Sequence, residues 1–114
     1  MPKKNNKISK NEFRYNYDTK HPSYVFMEDE NKYKAFGLTH KDKTFNKTNM
    51  PLSKNPNPDD ENTSYLRNGV VSSKKKNFSS ILKNFVFSDE DFKNVKSKVR
   101  NYKNKVRKNK YKKR

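Results

Sequence analysis

The sequence KHPSYVFMEDENKYKAFGLTH, residues 20–40, decides the fold because it is the densest run of apolar and aromatic residues in the chain. Two strand-like pieces, residues 23–27 and 32–39, flank the polar segment 28–31. Two apolar runs joined by a short polar segment are typical of a β-hairpin. We therefore predict an antiparallel hairpin at the centre of the domain.

The register of this hairpin places chemically useful side chains at one end. If the turn is centred in the polar segment, paired positions sum to about 59, so His21 is expected opposite Leu38 or Thr39. Opposed side chains have Cβ atoms roughly 4.5–5.5 Å apart. This end of the hairpin is thus expected to gather Lys20, His21, Thr39 and His40.

Strand alternation divides the hairpin residues between two faces of the sheet. In strand 23–27, Tyr24 and Phe26 are expected on one face and Val25 and Met27 on the other. In strand 32–40, one face is expected to carry Lys34, Phe36, Leu38 and His40, and the other Tyr33, Ala35, Gly37 and Thr39. A glycine inside a strand predicts a bulge or the close approach of another backbone at Gly37.

The composition limits both the core and the kinds of site. Hydrophobic residues are 28% and aromatic residues 13% of the chain, so we expect a small core rich in Phe and Tyr. The chain has no cysteine, which excludes disulfides, thiolate metal sites and cysteine nucleophiles. We expect no metal and no cofactor. We see neither an apolar run of membrane-spanning length nor a signal peptide, and therefore expect a cytoplasmic protein without a membrane partner.

Positive charge is concentrated in the C-terminal third. The net charge is +17, of which residues 1–73 carry +4 and residues 74–114 carry +13. Such a surface attracts phosphate backbones irrespective of base sequence. We predict a nucleic-acid partner, RNA before DNA, with a protein or ribonucleoprotein as a further candidate. The predicted contacts are Lys20, Lys41, Arg67, Lys74, Lys75, Lys76, Lys96, Arg100, Lys103, Arg107, Lys108 and Lys110.

Four segments follow from these patterns. We predict a disordered basic N-terminus over 1–11, a small β-domain over 12–88, a basic helix over 89–106 and a basic tail over 107–114. The fold class is mainly β (α+β), either a small SH3-like barrel or a strongly bent antiparallel sheet with a C-terminal basic helix.

The β-domain contains further strand signals. Aromatic residues alternate over 13–17, and residues 65–71 read as a strand with a kink at Asn68-Gly69. Residues 78–87 predict either a short helix and a strand or one irregular core segment. The long polar connection 41–62 contains repeated Asn-Pro turns.

The helix has the clearest local signals. Ser88 is the expected N-cap and Asp91 follows three residues later, as in a capping box. An apolar stripe with helical spacing follows, formed by Phe92, Val95, Val99, Tyr102 and Val106. We expect the first half of this stripe to dock on the β-domain.

Residues 20–54 resemble the core of MazF/PemK-like and ToxN-like proteins. The resemblance rests on His21-Pro22, on Leu38-Thr39-His40-Lys41-Asp42-Lys43 and on the apolar segment Asn49-Met50-Pro51-Leu52. Those families are SH3-like barrel endoribonuclease toxins that act without metal and pair with an antitoxin. This chain has His21 where the first family has the arginine of an Arg-Pro motif, and His40 where the second has a serine.

Cleavage of RNA without metal needs a base at the 2′-hydroxyl, an acid at the leaving oxygen and cations around the phosphate. Histidine titrates near neutral pH and suits both proton roles. The candidate catalytic residues are therefore His21, Thr39, His40 and Lys43. Two histidines are an ordinary number for this length, so phosphate binding without cleavage stays open.

Two other functions remain open from the sequence. Lysine and asparagine supply 41 of the 114 residues, which is typical of AT-rich genomes and favours a phage, a plasmid or a low-GC bacterium as the source. The chain could then be a non-catalytic, anti-CRISPR-like inhibitor that binds a ribonucleoprotein or its guide RNA. A DNA-binding module of a mobile element ranks third, because no helix-turn-helix pattern is recognisable.

Overall fold

A computed structural model describes residues 8–112, with side chains described over residues 8–107. Within this range the chain forms short and long β-strands followed by one long helix. The strands are β1 (Phe13–Asn16), β2 (His21–Glu28), β3 (Lys32–Thr39), β4 (Lys43–Thr44), β5 (Lys47–Thr48), β6 (Met50–Pro51), β7 (Tyr65–Leu66), β8 (Val71–Lys74) and β9 (Phe78–Ile81), and the helix is α1 (Asp89–Lys112). A 3-10 turn, Lys75–Asn77, joins β8 to β9.

Strand β3 is the centre of the sheet. It pairs with β2 on one side, and with β8 and then β7 on the other side. The strand order is β6-β7-β3-β2-β1-β9, and β6 and β9 at its two ends do not pair with each other. The described residues therefore form a mainly β domain with an antiparallel sheet, not closed into a barrel, and a C-terminal helix. This architecture confirms the predicted α+β class.

The predicted hairpin forms between β2 and β3, but its register was wrong. Strand β2 continues to Glu28, which lies opposite Tyr33, and Tyr24 lies opposite Phe36. Compared with the predicted register, the pairing is shifted by two residues beside the turn and by one residue beyond the bulge. The change occurs at a bulge between Val25 and Met27. The extra residue changes the register along the strand, so a single count from the turn cannot give every pair correctly.

The residues of each strand divide between two separate clusters, as the alternation within that strand predicted. Tyr24, Phe26, Phe36 and Leu38 belong to the main core, whereas Val25 and Ala35 pack with Phe78 in a second cluster. Met27 was predicted on the face of Val25 but packs against the main core, because the bulge immediately precedes it.

Gly37 lies beside the interruption between β7 and β8. The predicted strand 65–71 is divided, and Arg67 follows directly after β7. The Arg67 N–H donates a hydrogen bond to the Gly37 carbonyl (2.8 Å), and a Cβ at Gly37 would lie 3.2 Å from Arg67 Cδ. The close neighbour of Gly37 is thus the Arg67 side chain, whereas a bulge or the close approach of another backbone was predicted at this position.

Residues 8–11 belong to the predicted disordered N-terminus but lie against the domain. The carbonyl of Ser9 accepts a hydrogen bond from the Tyr24 hydroxyl (2.6 Å), and the carbonyl of Lys10 accepts one from the Phe87 N–H (2.9 Å). Ile8 packs on the main core. The rest of this predicted segment, residues 1–7, lies outside the described residues.

The chain after β9 completes the main core without regular structure. Residues 78–81 form the strand, and residues 82–88 are irregular. Phe87 is buried there, with its ring centroid 4.9 Å from that of Phe13 and 4.8 Å from that of Tyr24. The sequence predicted a short helix and a strand, or one irregular core segment; the structure instead has a strand followed by an irregular segment that contributes to the core.

Helix α1 docks on the main core through the predicted stripe. Val95 and Val99 are buried, and Phe92 and Tyr102 pack at the border of the core. Val106 is 46% exposed. The docking predicted for the first part of the stripe is confirmed. The helix continues past 106 to Lys112, so it includes most of the predicted tail, whose residues 113–114 lie outside the described residues.

The start of α1 is capped as expected, but Asp91 has a second role. The Ser88 hydroxyl accepts a hydrogen bond from the Asp91 N–H (3.1 Å), which confirms the N-cap. The Asp91 carboxylate, in a residue only 2% exposed, accepts hydrogen bonds from the backbone N–H groups of Ser53 (2.8 Å) and Lys54 (3.1 Å). It thereby joins the long polar connection to the helix.

Replacing this carboxylate should destabilise the fold. We expect Asp91→Ala to lower the free energy of unfolding by about 1–3 kcal/mol, because two partly buried amide donors lose a charged acceptor. Urea unfolding followed by circular dichroism measures this. Glu90→Ala removes an exposed carboxylate from the same helical turn and should have a much smaller effect. Equal effects of the two substitutions would contradict the role assigned to Asp91.

Candidate nucleic-acid interface and histidine cleft

A groove of about 610 Å³ runs along one face of α1. Its lining comes from the helix and from one residue of the N-terminal segment. The lining residues are Ile8, Phe92, Lys96, Val99, Arg100, Lys103, Asn104 and Arg107. We call this surface the helix groove.

Half of the residues that line the helix groove are cations, and no lining residue is acidic. The cations Lys96, Arg100, Lys103 and Arg107 follow one another at intervals of three or four residues, which places them on one side of a helix. The ion pairs formed among residues 8–107 involve other cations. The structure therefore brings together four of the predicted nucleic-acid contacts.

The floor of the helix groove is apolar and aromatic. Phe92, Val99 and Ile8 line it, and the Lys96 ammonium lies 4.9 Å from the centroid of the Phe92 ring. Cations that follow a backbone, together with an aromatic surface for bases, are the features of sequence-tolerant sites for single-stranded nucleic acid. The groove has both.

The other predicted contacts are distributed over the molecule. Lys74, Lys75 and Lys76 lie at the end of β8 and in the following turn, and they do not line the helix groove. Lys75 forms an ion pair with Glu28 (2.9 Å), and the hydrogen bond to that carboxylate raises the pKa of Lys75. The side chains of Lys108 and Lys110 lie outside the described residues.

A cleft of about 120 Å³ lies at the end of the β2–β3 hairpin. It is lined by three of the four predicted catalytic residues, His21, Thr39 and His40. The rest of the lining is Pro22, Leu38, Asn55, Asn57, Asp60, Ser64 and Phe85. Its volume equals that of about four water molecules, which suits a phosphate group better than a whole nucleoside. We call it the histidine cleft.

His40 reaches the same cleft as Thr39 because β3 ends at Thr39, so strand alternation no longer separates the two side chains. His40 Nε2 lies 2.7 Å from the Asp60 carboxylate. That carboxylate also accepts a hydrogen bond from the Asn62 N–H (3.0 Å). The Asn62 hydrogen bond, and to a smaller extent the one from His40, lower the pKa of Asp60 to about 2. Asp60 is therefore ionised at neutral pH and holds the His40 ring.

The pKa of His21 is lowered by its surroundings. Partial burial is the largest cause, and the positive charge of Arg67 is the second; the Leu38 backbone opposes them. His40 and Lys41 also lower the pKa of His21. At neutral pH the His21 ring is thus uncharged, and an uncharged imidazole can accept a proton.

Lys43, the fourth predicted catalytic residue, does not line the cleft. It lies in β4, opposite Thr48 in a small separate hairpin. Thr39 does line the cleft, and its hydroxyl accepts a hydrogen bond from the Lys41 N–H (3.2 Å). Lys20 directly precedes β2 with a left-handed backbone (φ 62°) and is exposed.

Sequence reasoning missed the contribution of the polar connection to the cleft. Asn55, Asn57 and Asp60 come from the Asn-Pro repeats, which we had interpreted as turns only. The Asp59-Asp60-Glu61 run gave no indication that one carboxylate would face His40. Arg67 was predicted as a nucleic-acid contact, but its influence on His21 depends on the break between β7 and β8.

Two absences can be stated for residues 8–112. No group of three or more His, Cys, Asp or Glu side chains among the described residues is arranged to hold a metal ion. Over the same part of the chain, no helix is long and apolar enough to cross a membrane.

Comparisons with protein-family models, with curated proteins and with solved structures find no match to this chain. We therefore infer the function from the geometry of the helix groove and the histidine cleft.

The pKa of His21 gives a direct test of the cleft. In an NMR titration, we expect the His21 midpoint below 6.5 and an upward shift in Arg67→Gln, since a positive charge is removed. The folded state then binds fewer protons than the unfolded state just below pH 6.5, so the free energy of unfolding should rise with pH through that window. Lys43→Gln is the control and should leave the His21 midpoint unchanged.

Proposed function

We propose that this chain binds RNA and that the helix groove is the main contact. The observation that carries the proposal is the row of Lys96, Arg100, Lys103 and Arg107 in one groove without an acidic neighbour. Like charges three or four residues apart on a helix destabilise it by a few tenths of a kcal/mol per pair, about 0.2–0.5 kcal/mol. A polyanionic backbone relieves this repulsion and gains four phosphate contacts.

The dimensions of the groove fit a nucleic-acid strand. A helix rises 1.5 Å per residue, so the Cα atoms of Lys96 and Arg107 are about 16 Å apart along the helix axis. This distance spans several successive phosphates of one strand. The apolar floor favours a single-stranded ligand, because unpaired bases expose faces that can pack on Phe92. Single-stranded RNA is therefore the proposed ligand, and DNA is the alternative to be compared with it.

Charge removal within the groove should reduce the salt dependence of binding. For single-stranded RNA the slope of log K against log salt is about −0.7 for each phosphate neutralised, so Arg100→Gln with Lys103→Gln should make the slope shallower by about 1.4. Fluorescence anisotropy with a labelled RNA, measured at several salt concentrations, gives this slope.

The matched control is the pair Lys93→Gln with Lys105→Gln. These residues are exposed on the same helix and outside the groove lining, and the change in net charge is the same. We expect a smaller change of slope from this control. If both double variants behave alike, the positive charge acts in a diffuse way and the groove is not the interface. A parallel titration with duplex DNA compares the two ligands.

A second candidate function is metal-independent cleavage of the bound RNA in the histidine cleft. It is supported by the common location of His21, Thr39 and His40, by the lowered pKa of His21 and by the Asp60 carboxylate that holds His40. In this proposal His21 takes the proton of the 2′-hydroxyl, and His40 gives one to the leaving 5′-oxygen. Arg67 and Lys41 would attract the phosphate. The resemblance to barrel-type endoribonuclease toxins, including an SH3-like barrel, belongs to this second proposal.

Cleavage is tested by incubating the protein with RNA in EDTA and separating the products on a gel. We expect fragments from the wild type, and at least a hundredfold slower cleavage from His21→Gln or His40→Gln, because one proton-transfer group typically contributes about 10²–10⁴-fold. Binding should be unchanged in both variants. RNA that stays intact although it is bound would remove the enzymatic proposal and leave a non-catalytic RNA-binding protein, the form expected of a ribonucleoprotein inhibitor.

A further inference from the structure

A small hairpin projects from the domain immediately after the histidine cleft. It consists of β4 and β5, which pair Lys43 with Thr48 and Thr44 with Lys47. At its tip Phe45 is 87% exposed, more than any other large hydrophobic side chain among the described residues. We call this hairpin the Phe45 finger.

The backbone at the tip is unfavourable for phenylalanine. The turn between β4 and β5 has two residues, and both have left-handed φ values, 53° for Phe45 and 64° for Asn46. Turns of this kind select glycine, asparagine or aspartate at these positions, because a Cβ in the left-handed region is strained. Asn46 suits such a turn but Phe45 does not. Neither turn geometry nor core packing therefore accounts for this aromatic ring.

The base of the finger is held firmly by a buried asparagine. Asn49 is 1% exposed, and its side-chain amide donates hydrogen bonds to the Thr44 hydroxyl (2.8 Å) and the Lys41 carbonyl (3.1 Å). Its backbone N–H donates to the Asp42 carbonyl (2.8 Å). One side chain thus fixes both the start of the finger and its first strand.

Asn68 holds the other strand of the finger. Its side-chain amide donates to the Lys47 carbonyl (3.1 Å) and to the Asn49 side-chain oxygen (2.9 Å). The Asn68 backbone N–H donates to the same oxygen (3.0 Å). The finger is therefore oriented by two asparagines anchored on the sheet, which is what a projecting ring needs if it is to meet a partner in one defined orientation.

The charge around the ring indicates what kind of partner this is. Lys43 and Lys47 belong to the finger itself, and Lys41 precedes it; all three are exposed. A hydrophobic pocket on a partner protein would contact the ring but would have no use for the lysines. A ring between lysines meets both parts of a nucleotide, because an aromatic face stacks on a base while cations contact the phosphates on either side.

We propose that Phe45 stacks on an unpaired base of the bound RNA, with Lys43 and Lys47 on the neighbouring phosphates. This inference rests on the proposed RNA-binding function and adds to it a side chain that stacks on a base. The helix groove holds the strand by its charge, whereas the Phe45 finger requires that a base be present and exposed. The ligand is thereby restricted to RNA with single-stranded or flipped-out nucleotides.

The first test compares Phe45→Asn with the wild type on two ligands, a short single-stranded RNA and an abasic strand of the same length. Asparagine is favoured in the left-handed region, so the variant keeps the turn and its thermal unfolding midpoint should be unchanged or higher. We expect it to bind the RNA about 5- to 150-fold more weakly, the effect of losing one base stack, and to bind the abasic strand like the wild type.

The second test uses Phe45→Trp as a reporter. The chain has no tryptophan, so the introduced indole is the single source of tryptophan fluorescence, and stacking on a base should quench it.

 The expected result is quenching on addition of the single-stranded RNA and little or no quenching with the abasic strand at the same occupancy.

The outcomes separate this inference from the proposed function. If the wild type binds RNA and Arg100→Gln with Lys103→Gln weakens that binding, but Phe45→Asn binds like the wild type, the stacking role is overturned and the RNA-binding function stands. Equal weakening on both ligands would also overturn it, since the ring would then act without a base. A wild type that binds neither ligand at low salt removes both proposals.

Discussion

The packing of Val95 and Val99 against the aromatic face of the sheet is the interaction on which the rest of the structure depends. Only 28% of the residues are hydrophobic, so the sheet needs a cover for this face and has few side chains to provide it. The helix provides the cover, and the edge-to-face contact between Tyr102 and Phe26 (5.5 Å between centroids) extends it. Because angular positions on a helix are regular, docking through these valines also determines where the helix groove lies.

Buried polar side chains do in this domain what additional apolar residues do in larger ones. Asp91 holds the polar connection against the helix, Asn49 holds the Phe45 finger, and the Asn16 side chain accepts a hydrogen bond from the Asp18 N–H (2.8 Å) in the turn before β2. Each of these residues is almost completely buried. A hydrogen bond to a buried partner has a defined direction, so three loops are oriented with little additional core.

The candidate surfaces differ in what they can recognise. The helix groove offers charge and an apolar floor, which suit a strand of any sequence. The histidine cleft has a volume that suits a phosphate group, and it contains His21 and His40, which we propose as proton-transfer groups. The Phe45 finger follows the cleft directly in the chain, because Lys41, whose carbonyl Asn49 holds, is the residue after His40. In our proposals, strand binding, phosphate chemistry and contact with a base therefore belong to separate parts of one small domain.

Local patterns in the sequence were enough for the elements whose signals are local. Ser88 and the stripe from Phe92 to Tyr102 predicted a capped helix that docks, and the alternation of 23–27 with 32–39 predicted a hairpin and the division of its faces. These predictions succeed because capping and periodicity involve residues within a few positions of one another. The cationic row on α1 could be read from the same helical spacing.

The sequence predicted that His21, Thr39 and His40 lie at one end of the hairpin, but the rest of the histidine cleft and the finger were decided only by the tertiary structure. The register depended on a bulge at Phe26 that no residue type announces, and the partner of His40 is Asp60, twenty residues away in a segment that reads as turns. Lys43 was expected at the site as a cation beside the phosphate, but it lies in β4, outside the lining of the cleft. Sequence alone determined which side chains were available and which faces were apolar; their meeting depended on long-range contacts, since loops without periodicity can close in many ways until the core orients them.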